Sequence, residues 1–137
     1  MARTAARLLL GAFLLLAGVA HLVAPEPFLA QVPPFLPAPG AVVLVSGLVE
    51  IAAGGAVLLA PARLRPRVGL AVAALFVVVF PGNVSQYLTA TPAFGLDTDG
   101  ARAVRLLFQP VLLAWALWSC AAWGPLLAAL RRRSRRA

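Results

Sequence analysis

The sequence predicts an all-α membrane domain: a four-transmembrane-helix bundle with both termini cytoplasmic. Three observations carry this expectation. Of 137 residues, 62% are hydrophobic and 12% charged, against roughly 45–50% and about 25% in ordinary globular domains. Four apolar runs approach or reach the ~20 residues that a spanning helix requires. The arginines cluster at alternate junctions between those runs, as the positive-inside rule demands of a multi-pass protein.

The first span covers 8–24 and ends at Pro25-Glu26-Pro27. The second, 41–60, is bracketed by Pro39-Gly40 and Pro61. The third, 68–88, is entered through Pro66, and the fourth, 104–123, is closed by Gly124-Pro125. Proline marks these boundaries because it cannot continue the backbone ladder. Residues 1–130 thus form a single membrane domain, and 131–137 a basic cytoplasmic tail. A second reading takes Arg3, Arg7, the apolar core and Gly18-Val19-Ala20 as a cleavable signal peptide, which would leave three spans.

All twelve basic residues are arginine, and the net charge is +8. Ten of them lie at the N-terminus (Arg3, Arg7), between spans two and three (Arg63, Arg65, Arg67) and in the tail (Arg131, Arg132, Arg133, Arg135, Arg136). Short patches between long apolar runs fit a lipid surface and exclude nucleic acid as the partner of this basic chain. The single cysteine, Cys120, excludes an intramolecular disulfide or a Cys-x-x-Cys redox pair. It reads as a small buried filler near the cytoplasmic end.

Ionisable groups inside spans are costly and face the bundle interior. Glu50 stands mid-span, with Ser46 and Gly47 preceding it and Gly54 following it at helical spacings of three and four. His21 closes the first span on the face of Gly11, Leu14 and Gly18. No second His or Cys accompanies it, so it reads as an interfacial residue, not a metal ligand. Asn83, Gln86 and Tyr87 end the third span, and Arg102, Arg105 and Gln109 open the fourth. The topology puts all of these in the outer half of the bilayer. The candidate polar cluster is therefore His21, Ser46, Glu50, Asn83, Gln86, Arg105 and Gln109. Two uses remain open: a ligand or proton site, or a structural Glu50–Arg105 ion pair with Asn83 and Gln109 as interhelical hydrogen bonds. Pro81 and Pro110 leave the Val77 and Leu106 carbonyls without helical donors beside this cluster.

The first external loop holds six prolines among apolar residues. It is expected to lie extended at the interface and cap the bundle above Glu50. The second, with Asp97-Thr98-Asp99-Gly100, touches the start of a calcium-loop pattern but lacks the remaining ligands, and reads as a turn.

In order and spacing, Gly11-Ala12-Phe13, Ala17-Gly18, His21, Pro25, Phe28, Val32-Pro33, Leu36-Pro37, Ser46-Gly47, Glu50, Phe80-Pro81-Gly82-Asn83, Arg105, Gln109-Pro110 and Trp115 resemble the DoxX-like small membrane proteins. The resemblance covers nearly the whole chain. It departs at Arg105-Leu-Leu-Phe-Gln109, where such proteins usually have a proline after the leucine, and at Gly82, where alanine is common. The family takes its name from a subunit of a thiosulfate:quinone oxidoreductase. The resemblance implies a multi-pass protein of the bacterial plasma membrane, and a role as anchor or as quinone- or lipid-handling partner of a membrane oxidoreductase complex. The sequence itself supplies no redox centre and no cofactor; a bound quinone is implied by the resemblance alone.

Three functions follow from these residues. The first is an accessory or ligand-binding subunit with a polar cavity in the outer half of the bundle. The second is a proton-coupled small transporter using Glu50. The third is an enzyme in which Glu50 and His21 act as an acid/base pair on a lipid-like substrate.

Overall fold

The computed structural model describes residues 1–134; Arg135 and Arg136 of the basic tail lie outside them. The chain forms α1 (Ala2–Val23), α2 (Glu26–Leu29), α3 (Pro39–Leu59), α4 (Arg65–Leu88), α5 (Asp99–Ser119) and α6 (Trp123–Ser134), with no strand among the described residues. Four of these helices, α1, α3, α4 and α5, are long and apolar enough to cross a membrane. The protein is an all-α, multi-pass membrane bundle.

The distribution of side chains inverts that of a soluble protein. Leu16, Val78 and Leu107 are each 72% exposed on the outside, while Arg7, Gln86, Arg102 and Gln109 are buried. An apolar exterior costs nothing in lipid, whereas polar groups facing hydrocarbon would.

Two tight hairpins make the bundle. In the first, α1 and α3 cross through paired glycines, Gly11 against Gly54 and Gly18 against Gly47. A Cβ at Gly18 would lie 2.6 Å from the Gly47 carbonyl oxygen, and one at Gly54 would lie 2.8 Å from that of Gly11. The backbones themselves are therefore in contact, as small residues permit between membrane helices. In the second hairpin, Gly69 of α4 lies against Ala116 and Cys120 at the end of α5. Contacts between the hairpins are fewer, and the α3–α4 seam is the sparser of the two.

The dry core occupies the arginine-rich end, where Leu10, Leu14, Val57, Val72, Phe76, Leu117 and Cys120 pack together. Arg7 is part of this end: its guanidinium donates to the carbonyls of Val57 and Leu58, satisfying acceptors that the last turn of α3 leaves open. The Trp115 indole N–H reaches across from α5 to the Ala6 carbonyl at 2.9 Å.

Helix ends depart from their sequence expectation. The last spanning helix begins at Asp99, because the Thr98 hydroxyl accepts from the Ala101 N–H at 3.2 Å. It stops at Ser119, and α6 starts at Trp123. Gly124-Pro125 therefore sits in the first turn of a new helix, where proline forfeits no backbone bond. The stop is a Schellman motif: Ala121 N–H bonds Trp118 O, Ala122 N–H bonds Leu117 O, and Ala121 takes φ +58°. The end of α4 repeats it, with Ala90 at φ +52° and bonds to Tyr87 O and Gln86 O. Alanine occupies both left-handed positions where glycine is usual. Ala90→Gly and Ala121→Gly should each raise stability by about 1 kcal/mol, read as a higher thermal midpoint in detergent.

The proline-rich loop is not extended, as the sequence suggests, but coiled. Pro25 and Pro27 stand in the opening turn of α2, and the turns that follow are closed by Gln31 N–H to Phe28 O and Leu36 N–H to Pro33 O. Prolines at first-turn positions suit a short helix, since no donor is needed there.

Candidate functional site

A cavity of about 340 Å³ opens in the half of the bundle away from the arginine-rich end, lined by α1, α3, α4, α5 and the coiled loop. His21, Ser46, Glu50, Asn83, Arg105 and Gln109 all line it. The polar levels of four helices therefore meet in one space.

On one wall the polar groups form a continuous chain. Gln109 Nε2 donates to the Phe76 carbonyl, one residue before the Val77 carbonyl that Pro81 strands. Asn83 Nδ2 donates to Gln109 Oε1 at 3.1 Å, and Arg105 Nε donates to Asn83 Oδ1 at 3.1 Å. The expected interhelical amide bonds thus exist, but they position Arg105 and not an ion pair. The Arg105 guanidinium lies 4.6 Å from the centre of the Phe94 ring, a favourable cation–π distance.

The opposite wall carries the acid. His21 Nδ1 donates to Ala17 O at 2.8 Å, which fixes a proton on that nitrogen. Glu50 Oε2 lies 3.5 Å from the same nitrogen, is buried, and has no hydrogen-bond partner. His21 is Glu50's neighbour because the Gly18–Gly47 contact draws α1 onto α3; a Cβ at Gly47 would come within 2.7 Å of the His21 Cβ. The Glu50–Arg105 ion pair does not form: among the described residues, Arg102–Asp99 is the one ion pair of permanently charged groups within 4.0 Å, and the approach of His21 to Glu50 at 3.5 Å is an ion pair only with a protonated imidazole. Two opposite charges therefore line one cavity without touching.

Gln86 takes another role. It is buried away from the cavity lining, accepts from Gln31 Nε2 at 3.0 Å, and donates to Thr91 O at 3.3 Å and Ala93 O at 3.4 Å. It ties the loop after α2 and the loop after α4 to α4 itself. Arg102 likewise turns to Leu96 O and Asp99 and holds the start of α5.

The roof consists of residues that helical periodicity could not single out. Phe28 stacks on the His21 ring at 3.6 Å and meets Phe94 edge-on at 4.9 Å. Phe94 adopts φ +56°, a left-handed conformation that a bulky residue rarely takes. Gln31 lines the cavity from the loop. Phe28 sits in the four-residue α2 and Gln31 and Phe94 in loops, where no repeat of three or four reports which way a side chain faces.

Chemically, the site offers a carboxylate able to accept a hydrogen bond and a guanidinium fixed through Nε alone. Glu50 and His21 are within reach of each other, but the Nδ1 proton is already committed to the backbone.

No curated protein and no solved structure matches the chain. Residues 10–120, nearly all of the membrane bundle, match a family described as a domain of unknown function, DUF8561. The chain belongs to that family.

Proposed function

We propose that the protein is an accessory or ligand-binding subunit of the bacterial plasma membrane, and that its outer cavity holds a small amphipathic molecule of the quinone or lipid class. The observation that carries this reading is Glu50 Oε2, a buried acceptor without a partner, in a mostly apolar cavity walled by four helices and holding a few polar side chains. An unsatisfied polar atom in such surroundings costs about 1–3 kcal/mol, which a bound donor would recover. Residues shared with DoxX-like proteins, among them His21, Glu50, Asn83 and Arg105, support the same assignment and suggest a membrane oxidoreductase complex as partner.

A ligand that binds only the folded state raises its stability in proportion to the logarithm of its concentration over Kd. The purified protein in detergent should therefore show a rising thermal midpoint with at least one member of a quinone and lipid panel, and Glu50→Gln should lose most of that rise. A panel that moves neither protein would overturn the proposal.

A further inference from the structure

The cavity has an unusual balance of charge and an unusual door. Glu50 lacks a donor, and the terminal nitrogens of Arg105 bond no protein group among the described residues. Leaving opposite charges separately uncompensated in a low-dielectric interior is costly, so a molecule supplying both counter-charges is favoured over one supplying either.

The door faces lipid. Val78 of α4 lines the cavity and is also 72% exposed on the outside of the bundle. From Val78 to the helix end at Leu88, and from Pro39 to Glu50 in α3, the rise is about 15 Å. That depth lies well inside the hydrocarbon of a bilayer whose apolar core is about 30 Å thick. Val42 and Ser46 of α3 and Val78 and Gly82 of α4 line the cavity on either side of this slot, and the seam between those two helices is the sparser one. The route outward is covered instead: Phe28 and Phe94 roof the His21–Arg105 span, and the Gln31 backbone sits over Gly82, whose added Cβ would lie 3.3 Å from the Gln31 carbonyl oxygen.

We infer that this slot admits, from the outer leaflet, a phospholipid with a zwitterionic head group, its primary ammonium donating to Glu50 and its phosphate accepting from Arg105, with the acyl chains leaving between α3 and α4. A primary ammonium is specified because Glu50 Oε2 needs an N–H donor as well as a positive charge, which a quaternary ammonium lacks. A phosphate is specified because the unused edge of the guanidinium is a planar fork that matches two phosphate oxygens. The inference rests on the cavity-binding reading above and adds the head group and the route.

The test is lipid binding to the full chain, lipid-depleted in detergent, followed by native mass spectrometry. Phosphatidylethanolamine should bind about tenfold tighter, or more, than phosphatidylglycerol or phosphatidylcholine. Free phosphoethanolamine should bind far more weakly than the lipid. Glu50→Gln should erase the preference for phosphatidylethanolamine over phosphatidylglycerol, and Arg105→Gln should weaken both. Equal binding of the three lipids overturns the head-group assignment, and that comparison needs no variant. Free phosphoethanolamine binding as tightly as the lipid overturns the lateral route. Saturable quinone binding that is lost in Glu50→Gln, without any head-group preference, overturns this inference while leaving the cavity reading intact; no saturable binding of any amphipath overturns both.

Discussion

Gly18→Ala should cost the bundle about 3 kcal/mol, whereas Gly55→Ala in α3 should cost nothing and can gain up to about 1 kcal/mol through helix propensity. The substitution is the same; the surroundings differ. A Cβ at Gly18 meets the Gly47 carbonyl oxygen at 2.6 Å and the Ile51 backbone nitrogen at 2.8 Å, while one at Gly55 meets nothing within 4 Å. Backbone cannot rotate aside as a side chain does, so α1 and α3 must separate along their length. Their separation also breaks the site, since Gly47 packs on His21 and the same crossing holds His21 beside Glu50. Unfolding of each variant in mixed micelles of increasing sodium dodecyl sulfate fraction reads the difference directly. Equal stabilities for the two variants would show that the glycine crossing does not hold the hairpin.

The parts of this structure that were legible in the sequence are those governed by transfer energy. Four long apolar runs must span, and Glu50, Arg105, Asn83 and Gln109 must turn inward, because hydrocarbon penalises the alternatives whatever the details of packing. Helical spacing likewise put Ser46, Gly47 and Gly54 on the face of Glu50, and that is the face that packs. What spacing could not provide was the partner across the gap. Glu50 meets His21 of α1, not Arg105 of α5, because the glycine crossing sets how closely two backbones approach, a property of the pair and not of either helix. Helix ends were illegible for a local reason: Ala90 and Ala121 carry the left-handed turn without the glycine that normally announces it. Arg7 and Gln86 show a third limit. One carries the charge of a topology signal and the other ends a polar stretch, yet both are buried and hold backbone carbonyls of other segments. Hydrogen bonds of that kind depend on where a loop or a neighbouring helix ends, and composition does not encode it.

Glu50→Gln should make the ligand-free protein more stable, by about 2 kcal/mol. The sign is the informative part. Had Glu50 been half of a structural ion pair, removing its charge would strand the partner and destabilise the fold by about 3–5 kcal/mol. Here Arg105 is held independently by Asn83 and Phe94, and His21 by the Ala17 carbonyl, so none of them loses a bond when the carboxylate becomes an amide. What disappears is an uncompensated charge in an apolar bundle. A residue whose charge weakens the empty protein is one whose worth is realised in another state, the usual relation between a functional site and its scaffold. Adding phosphatidylethanolamine should then narrow or reverse the gap, because only the wild-type carboxylate recovers its cost by pairing with the ammonium. The same sodium dodecyl sulfate titration, run with and without lipid, measures both quantities. A destabilised Glu50→Gln in the lipid-free protein would assign the carboxylate to the fold and withdraw it from the site.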